Sequence, residues 1–325
     1  MEAIQNEEAI QNENDVFTLI EHSDPMYGKI VVVDWMLGNS CSYACSYCPK
    51  SLHDGSVKWQ KTSDIFHLYH QMREHYVTER DKIVWLQFTG GEPTMHPRII
   101  DLLRHASGMD FKVSLISNAS RTLRFWEKIS DCLNSVILTY HAEFAKLNHF
   151  IQVAGMMADR ISVHINVTMH PDRFDQILQD AQELRAALPA ASISLKPLRQ
   201  EFGSQLYDYT DDQLRVLSKG LPSKLAPVGE KPRSLMRATT RSGHSETMPP
   251  NEFIIRGMNR WRGYQCNVGL ESLRVRGNGQ VMRGVCGVGG VIGYLGEDID
   301  LPSDPIRCTK DYCSCLADIL IRKEI

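Results

Sequence analysis

Apolar and polar positions follow two alternating periods along this chain of 325 residues. Short apolar runs rich in Val, Ile and Leu occupy 29–37, 83–89, 112–117, 135–140, 162–169 and 192–198. Their length and β-branched content predict buried strands. Between and after them, helical spacing appears at 63–77, 97–106, 123–132, 144–158, 172–187 and 211–219. Asp172 and Asp211 are good helix-start residues, and Pro97 suits a first turn. Strand and helix alternating in this way predict an α/β fold, a parallel sheet with right-handed crossovers.

The flanks read differently. Residues 2–13 hold the tandem repeat Glu-Ala-Ile-Gln-Asn-Glu, polar, acidic and too short for a solenoid unit. With the following stretch, residues 1–27 are expected to form a polar tail. The segment 199–258 has weak periodicity, and within it 222–251 is rich in Pro, Ser, Thr, Lys and Arg, so 204–257 is a linker or a lid. Arg233, Arg237, Arg241, Arg256, Arg260 and Arg262 make that zone locally basic, which reads as a solvated face or a contact for an acidic group. Lys and Arg total 36 against 39 Asp and Glu, a net charge of −3. That balance gives no footprint for a nucleic-acid backbone or an anionic membrane. No apolar run approaches the ~20 residues of a membrane helix, and the first residues lack a signal peptide's basic and apolar regions. The nine cysteines are therefore read in a reducing cytoplasm, where metal ligation outweighs disulfides.

Three of those cysteines, Cys41, Cys45 and Cys48, stand at C-x3-C-x2-C spacing after the first apolar run. Thiolates hold iron–sulfur clusters, and three of them leave one iron of a cubane without a protein ligand. Zinc sites instead favour ligand pairs at C-x2-4-C spacing. After the run 83–89 comes Gly90-Gly91-Glu92-Pro93, where two residues without Cβ let backbone pass close to a ligand. The loop, with Tyr47 before its last cysteine, and the downstream GGEP turn together resemble the radical SAM superfamily.

That resemblance implies a partial (β/α)6 barrel over 28–203 and a [4Fe–4S] cluster held by Cys41, Cys45 and Cys48. S-adenosylmethionine (SAM) would chelate the free iron. An electron from a flavodoxin or ferredoxin would then cleave SAM to methionine and a 5′-deoxyadenosyl radical. It also implies that Tyr47, Gly90, Gly91, Glu92 and Pro93 contact SAM, with the other active groups at the C-terminal ends of the strands. Those ends nominate Ser117 and Asn118 for a ribose, with a simple turn at Asn118 as the alternative. His141 is either a SAM or substrate contact or a helix cap. His164, Asn166 and Thr168 share a strand face; Asn166 is the candidate SAM contact, and His164 is read as a core histidine. Lys196 is assigned to the SAM carboxylate or an anionic substrate. Cys132, alone near the end of a helix, is read as a small hydrophobe.

Five more cysteines close the chain: Cys266, Cys286, Cys308, Cys313 and Cys315. Between the first two, Leu273-Arg-Val-Arg and Gln280-Val-Met flank Gly277-Asn-Gly279, the pattern of a β-hairpin. A short helix is expected at 316–322. The arrangement resembles the auxiliary-cluster domains called SPASM and twitch, although the gap from Gly279 to Cys286 is longer than usual and the cysteines are fewer than in a full SPASM domain. One second [4Fe–4S] cluster in a small hairpin-plus-helix domain over 258–325 is expected. Cys266 and Cys286 would be ligands, completed by two of Cys308, Cys313 and Cys315. Four thiolates also suit zinc, the alternative occupant. The resemblance implies hydrogen abstraction from a small molecule or a peptide. The short N-terminal stretch leaves no room for a leader-peptide domain, which favours a small molecule or a peptide presented by a partner. An activase that modifies a partner protein is the alternative.

Overall fold

The computed structural model describes residues 16–202, 205–221, 229–313 and 315–325. The repeat at 2–13 and the stretch 222–228 lie outside them. In chain order the strands begin with β1 (Phe17–His22), β2 (Ile30–Met36), β3 (Ile83–Thr89), β4 (Lys112–Ser117), β5 (Ser135–Tyr140), β6 (Ser162–Met169) and β7 (Ser192–Pro197). Helices α1 (Thr62–Met72), α2 (Ile99–Gly108), α3 (Leu123–Ile129), α4 (Leu147–Ala158) and α5 (Phe174–Ala187) connect β2 to β7, and α6 (Asp211–Lys219) follows. β2 to β7 are parallel and neighbours in chain order, as the alternation predicts.

The strand residues divide by parity. Val31, Val33 and Trp35 of β2, and Val163, Ile165 and Val167 of β6, enter one buried core with the helices. Their alternates, Asp34, Met36, Asn166 and Thr168, line a cavity instead. Each fully buried side chain of this kind contributes roughly 2 kcal/mol. Helix starts differ in detail from the sequence reading. α6 is capped by Thr210, whose side chain accepts from Gln213 N while the Gln213 side chain accepts from Thr210 N, so Asp211 lies inside the first turn. α5 begins at Phe174, after a 3-10 turn that holds Asp172, and α2 begins beyond Pro97.

The remaining elements are β8 (Met236–Thr240), β9 (Ser245–Met248), α7 (Pro250–Ile255), β10 (Gln265–Cys266), β11 (Ser272–Val275), β12 (Gln280–Met282), β13 (Val291–Tyr294), β14 (Ile306–Arg307), α8 (Leu316–Ile319) and β15 (Lys323–Glu324). They correct three boundaries. First, the expected tail over 1–27 contains β1, an interior strand of a second, six-stranded sheet in the order β14-β10-β15-β1-β8-β9. Phe17, Ile20 and His22 are buried there. Its partners stand more than two hundred residues away, so no local pattern announces it. Second, the expected linker or lid over 204–257 supplies α6, α7 and the β8–β9 hairpin of that same sheet. Third, the hairpin expected inside a separate unit over 258–325 does form, with Gly279 at φ +85° in its turn. However, β11 pairs in parallel with β2, setting Arg274 beside Asp34. The parallel sheet thus continues through the hairpin into a nine-stranded sheet, β13-β12-β11-β2-β3-β4-β5-β6-β7.

Candidate active site

The cysteine loop is held from three sides. At its root, buried Asn39 donates from Nδ2 to Ser51 O (2.7 Å) and Asp54 Oδ1 (2.8 Å), and its Oδ1 accepts from Val57 N (2.8 Å). This closes the chain after Cys48 back onto the end of β2. In the middle, Ser46 N and Oγ both donate to the Glu143 carboxylate, at 2.8 and 2.5 Å. Tyr47 OH reaches His141 Nδ1 (2.7 Å) and Thr168 Oγ1 (2.9 Å), and Tyr43 stacks on Phe144 at 5.3 Å. Cys41, Cys45 and Cys48 are free thiols lining one cavity of about 520 Å³. Burial pushes all three thiols up, and with help from the Glu143 charge Cys45 reaches about 12 despite its bond with Tyr47. Three thiolates in such a place need a cation beside them. A cluster of soft iron fits that donor set.

The GGEP turn is stitched to the same loop. Gly90 lies at φ +123°, and a Cβ on it would stand 2.2 Å from Gly38 O; one on Gly91 would stand 2.4 Å from Ser40 O. Gly91 N donates to Gly38 O and Glu92 N to Ser40 O (2.8 Å). Glu92 itself is fully buried. Its carboxylate accepts from Thr94 N (3.1 Å), Thr94 Oγ1 (2.6 Å), Ser117 Oγ (2.8 Å) and Asn118 N (2.7 Å). Burial raises its pKa, and those four bonds oppose the rise. Neither Glu92 nor Pro93 lines the cavity, whereas Gly90, Gly91, Ser117 and Asn118 do. This corrects the expectation of a direct Glu92 or Pro93 contact: the carboxylate is spent on holding β4's end against the turn. Asn118 makes the turn that was one of the two roles left open for it. Its Oδ1 accepts from Ser120 N (3.0 Å) in a turn, while Nδ2 donates to Ser42 Oγ (3.1 Å) and lies 3.7 Å from Cys41 Sγ.

The C-terminal cysteines form a second cluster of thiols. Cys266, Cys286, Cys308 and Cys313 line a narrow cavity with Asp318, Lys310 and Lys323, and Cys315 is not among its lining residues. Cys315 instead occupies the N-cap of α8. Asn259 ties Cys313 down, accepting from its N–H and donating to its C=O, both at 2.8 Å. Cys286 N donates to Asp318 Oδ2 (2.5 Å). Burial first, then the Asp318 charge, drives Cys286 to about 12; burial drives Cys313 to the same value although the Lys323 ammonium pulls it down.

Residues 35–142 match the Radical SAM superfamily. That span is similar to a radical SAM domain, and the similarity indicates an enzyme. It is 25% identical over 191 residues to an S-adenosylmethionine-dependent nucleotide dehydratase of Fibrobacter sp. (strain UWH6), covering 54% of this chain and 49% of that protein. The chain thus spans about half the length of that curated relative. Among solved structures, Streptococcus suis SuiB bound to precursor peptide SuiA is similar at TM-score 0.51 and 13% identity, covering 83% of this chain and 63% of SuiB. SuiB bound to S-adenosylmethionine gives TM-score 0.50 at 13% identity, covering 80% and 61%. These two show a shared fold.

The matched span holds the loop, the GGEP turn, Ser117 and Asn118, and stops before Asn166 and Lys196. Those two still reach the same cavity, and burial lowers the Lys196 pKa. His141 also lines it, its pKa pushed down to about 4 by burial. His164 is a half-buried histidine held by Ser192 Oγ (2.6 Å) and Asn166 Oδ1 (3.1 Å). Cys132 packs against the hydrophobic core. Sequence reasoning missed Asp34 and Arg274, an ion pair across β2 and β11 that lines the same cavity. A signal was present, since Asp34 interrupts a run of three valines and a tryptophan, but its partner could be found only through the β11–β2 pairing.

Proposed function

We propose that this protein is a radical SAM enzyme of the partial (β/α)6 barrel type, in which Cys41, Cys45 and Cys48 hold a [4Fe–4S] cluster and leave one iron for SAM. The observation that carries this reading is that the three loop thiols share one cavity with Gly90, Gly91, Ser117, Asn118, Asn166 and Lys196. When bound, cluster and SAM supply the 5′-deoxyadenosyl radical that takes a hydrogen atom from substrate. The chain's own residues do the placing. Ser46, Tyr47 and Asn39 fix the loop; Gly90 and Gly91 offer a bare backbone edge to the SAM amino group. Ser117, Asn118, Asn166 and Lys196 supply donors for its ribose and carboxylate, and Asp34 with Arg274 forms a charged wall for substrate.

In this reading Cys266, Cys286, Cys308 and Cys313 hold a second [4Fe–4S] cluster, which accepts an electron from the substrate radical, and Cys315 is spare. A flavodoxin or ferredoxin supplies the reducing electron. The substrate is a small molecule or a peptide. The nucleotide dehydratase relative supports the small molecule, and SuiB, which binds precursor peptide SuiA, supports the peptide.

Anaerobically reduced protein is expected to convert SAM to 5′-deoxyadenosine and methionine, and Cys41→Ala, Cys45→Ala and Cys48→Ala each to abolish it. Robust cleavage in any of the three overturns the assignment.

A further inference from the structure

Lys323 is the one lysine among the described residues that is buried, at 2% exposure. A buried ammonium costs several kcal/mol unless something negative compensates it. Its acceptors here are neutral carbonyls: Asp318 O and Ile321 O at 2.7 Å and Ile319 O at 3.3 Å. Its fourth neighbour is the face of Trp261, 4.5 Å from the ring centroid. None of these carries a full negative charge. The side chain lines the narrow cavity of Cys266, Cys286, Cys308 and Cys313, and Lys323 is the cross-strand partner of Cys266. Two other charged residues line the same cavity: Lys310, which is exposed to solvent, and Asp318, whose carboxylate accepts from the backbone of Cys286.

We infer that Lys323 is the charge partner of the group the four cysteines hold, and that its ammonium sets how readily that group accepts an electron. This rests on the proposed second cluster. Four thiolates around such a cluster form a dianion, and one-electron reduction makes it a trianion. The electron enters the cluster, no bond forms or breaks, and the ammonium keeps its proton. A fixed cation at the cavity wall stabilises the trianion more than the dianion and so raises the reduction potential. A lysine that served only to cap the last turn of α8 would leave that potential unmoved when replaced by another donor.

The test uses the full chain with Cys41, Cys45 and Cys48 all changed to Ala, so that only the C-terminal centre titrates. Iron and zinc are counted, and the potential is read by anaerobic redox titration. The parent is expected to hold about four irons. Lys323→Gln keeps a donor for the carbonyls and removes the charge. It is expected to lower the reduction constant at least tenfold, a shift of at least about 59 mV to the negative for one electron. Lys323→Arg is expected to restore most of it. An unchanged potential in iron-loaded Lys323→Gln overturns the inference. Should Lys323→Gln stay folded by circular dichroism but lose its iron while Lys323→Arg keeps it, the charge is required even to hold the anion, and the inference stands. Loss of fold in both variants makes Lys323 a structural cap and overturns it. Zinc without iron in the parent overturns the cluster reading itself, and the inference falls with it.

Discussion

Glu92 spends its carboxylate on three neighbours, Thr94, Ser117 and Asn118, and keeps no face toward the cavity. Glu92→Ala strands buried donors that cost about 1–3 kcal/mol each. A fall in melting temperature is therefore expected with and without SAM, along with weakened SAM binding. Asn166→Ala is expected to weaken SAM binding with the melting temperature of the SAM-free protein unchanged. Weaker SAM binding in Glu92→Ala at unaltered stability would return Glu92 to direct contact. Gly91 gives a second, purely steric case. A methyl there would meet the Ser40 and Asn39 carbonyls at 2.4 and 2.6 Å, both of them backbone. Gly91→Ala is expected to displace the cysteine loop and reduce iron incorporation at the first site by more than half, measured as iron per chain. Full loading would show that the loop tolerates the shift. The motif's glycines were legible because their role is set by the backbone next to them. Glu92's true role was not, because it depends on which neighbours fold over it.

At the scale of elements, β2 to β7 could be read from sequence because each satisfies a local rule: a short apolar run, then a helical period, repeated. β1, β8 and β15 satisfy none, since their identity comes from pairing across the chain. The clasp between β1 and the end of the chain is Glu271. It is 2% exposed, binds His22 Nε2 at 3.0 Å, and accepts from Arg322 N (3.0 Å) and Asn267 Nδ2 (2.7 Å). Burial alone would raise its pKa, but the bonds from His22, Arg322 and Asn267 win and hold it below its usual 4.5. A carboxylate held low contributes stability that is fully present above 4.5 and is lost as pH falls through its folded value. Glu271→Ala is therefore expected to cost about 3–5 kcal/mol at pH 7 in chemical denaturation, and the gap to wild type should narrow as pH drops below 4.5. A gap constant with pH would mean that Glu271 acts by packing and not by charge.

Across the whole molecule, one nine-stranded sheet joins the two groups of cysteines. β2 leads into the loop of Cys41, Cys45 and Cys48 on one side, and it pairs with β11, between Cys266 and Cys286, on the other. No helix among the described residues is long and apolar enough to cross a membrane. The count of cysteines and their spacing were legible from sequence. Which four of the last five line one cavity was not, because Cys315 and Cys313 are two residues apart and only the fold turns one into the cavity and the other to the head of α8. The central claim is that these are two separate four-iron sites, of which only the first is open to SAM. Anaerobic reconstitution followed by iron counting and electron paramagnetic resonance tests it most directly. Wild type is expected to hold about eight irons per chain, and the Cys41/Cys45/Cys48→Ala variant about four, with a reduced signal that SAM leaves unchanged. A triple variant that stays folded with no iron, or whose signal shifts when SAM is added, would contradict it.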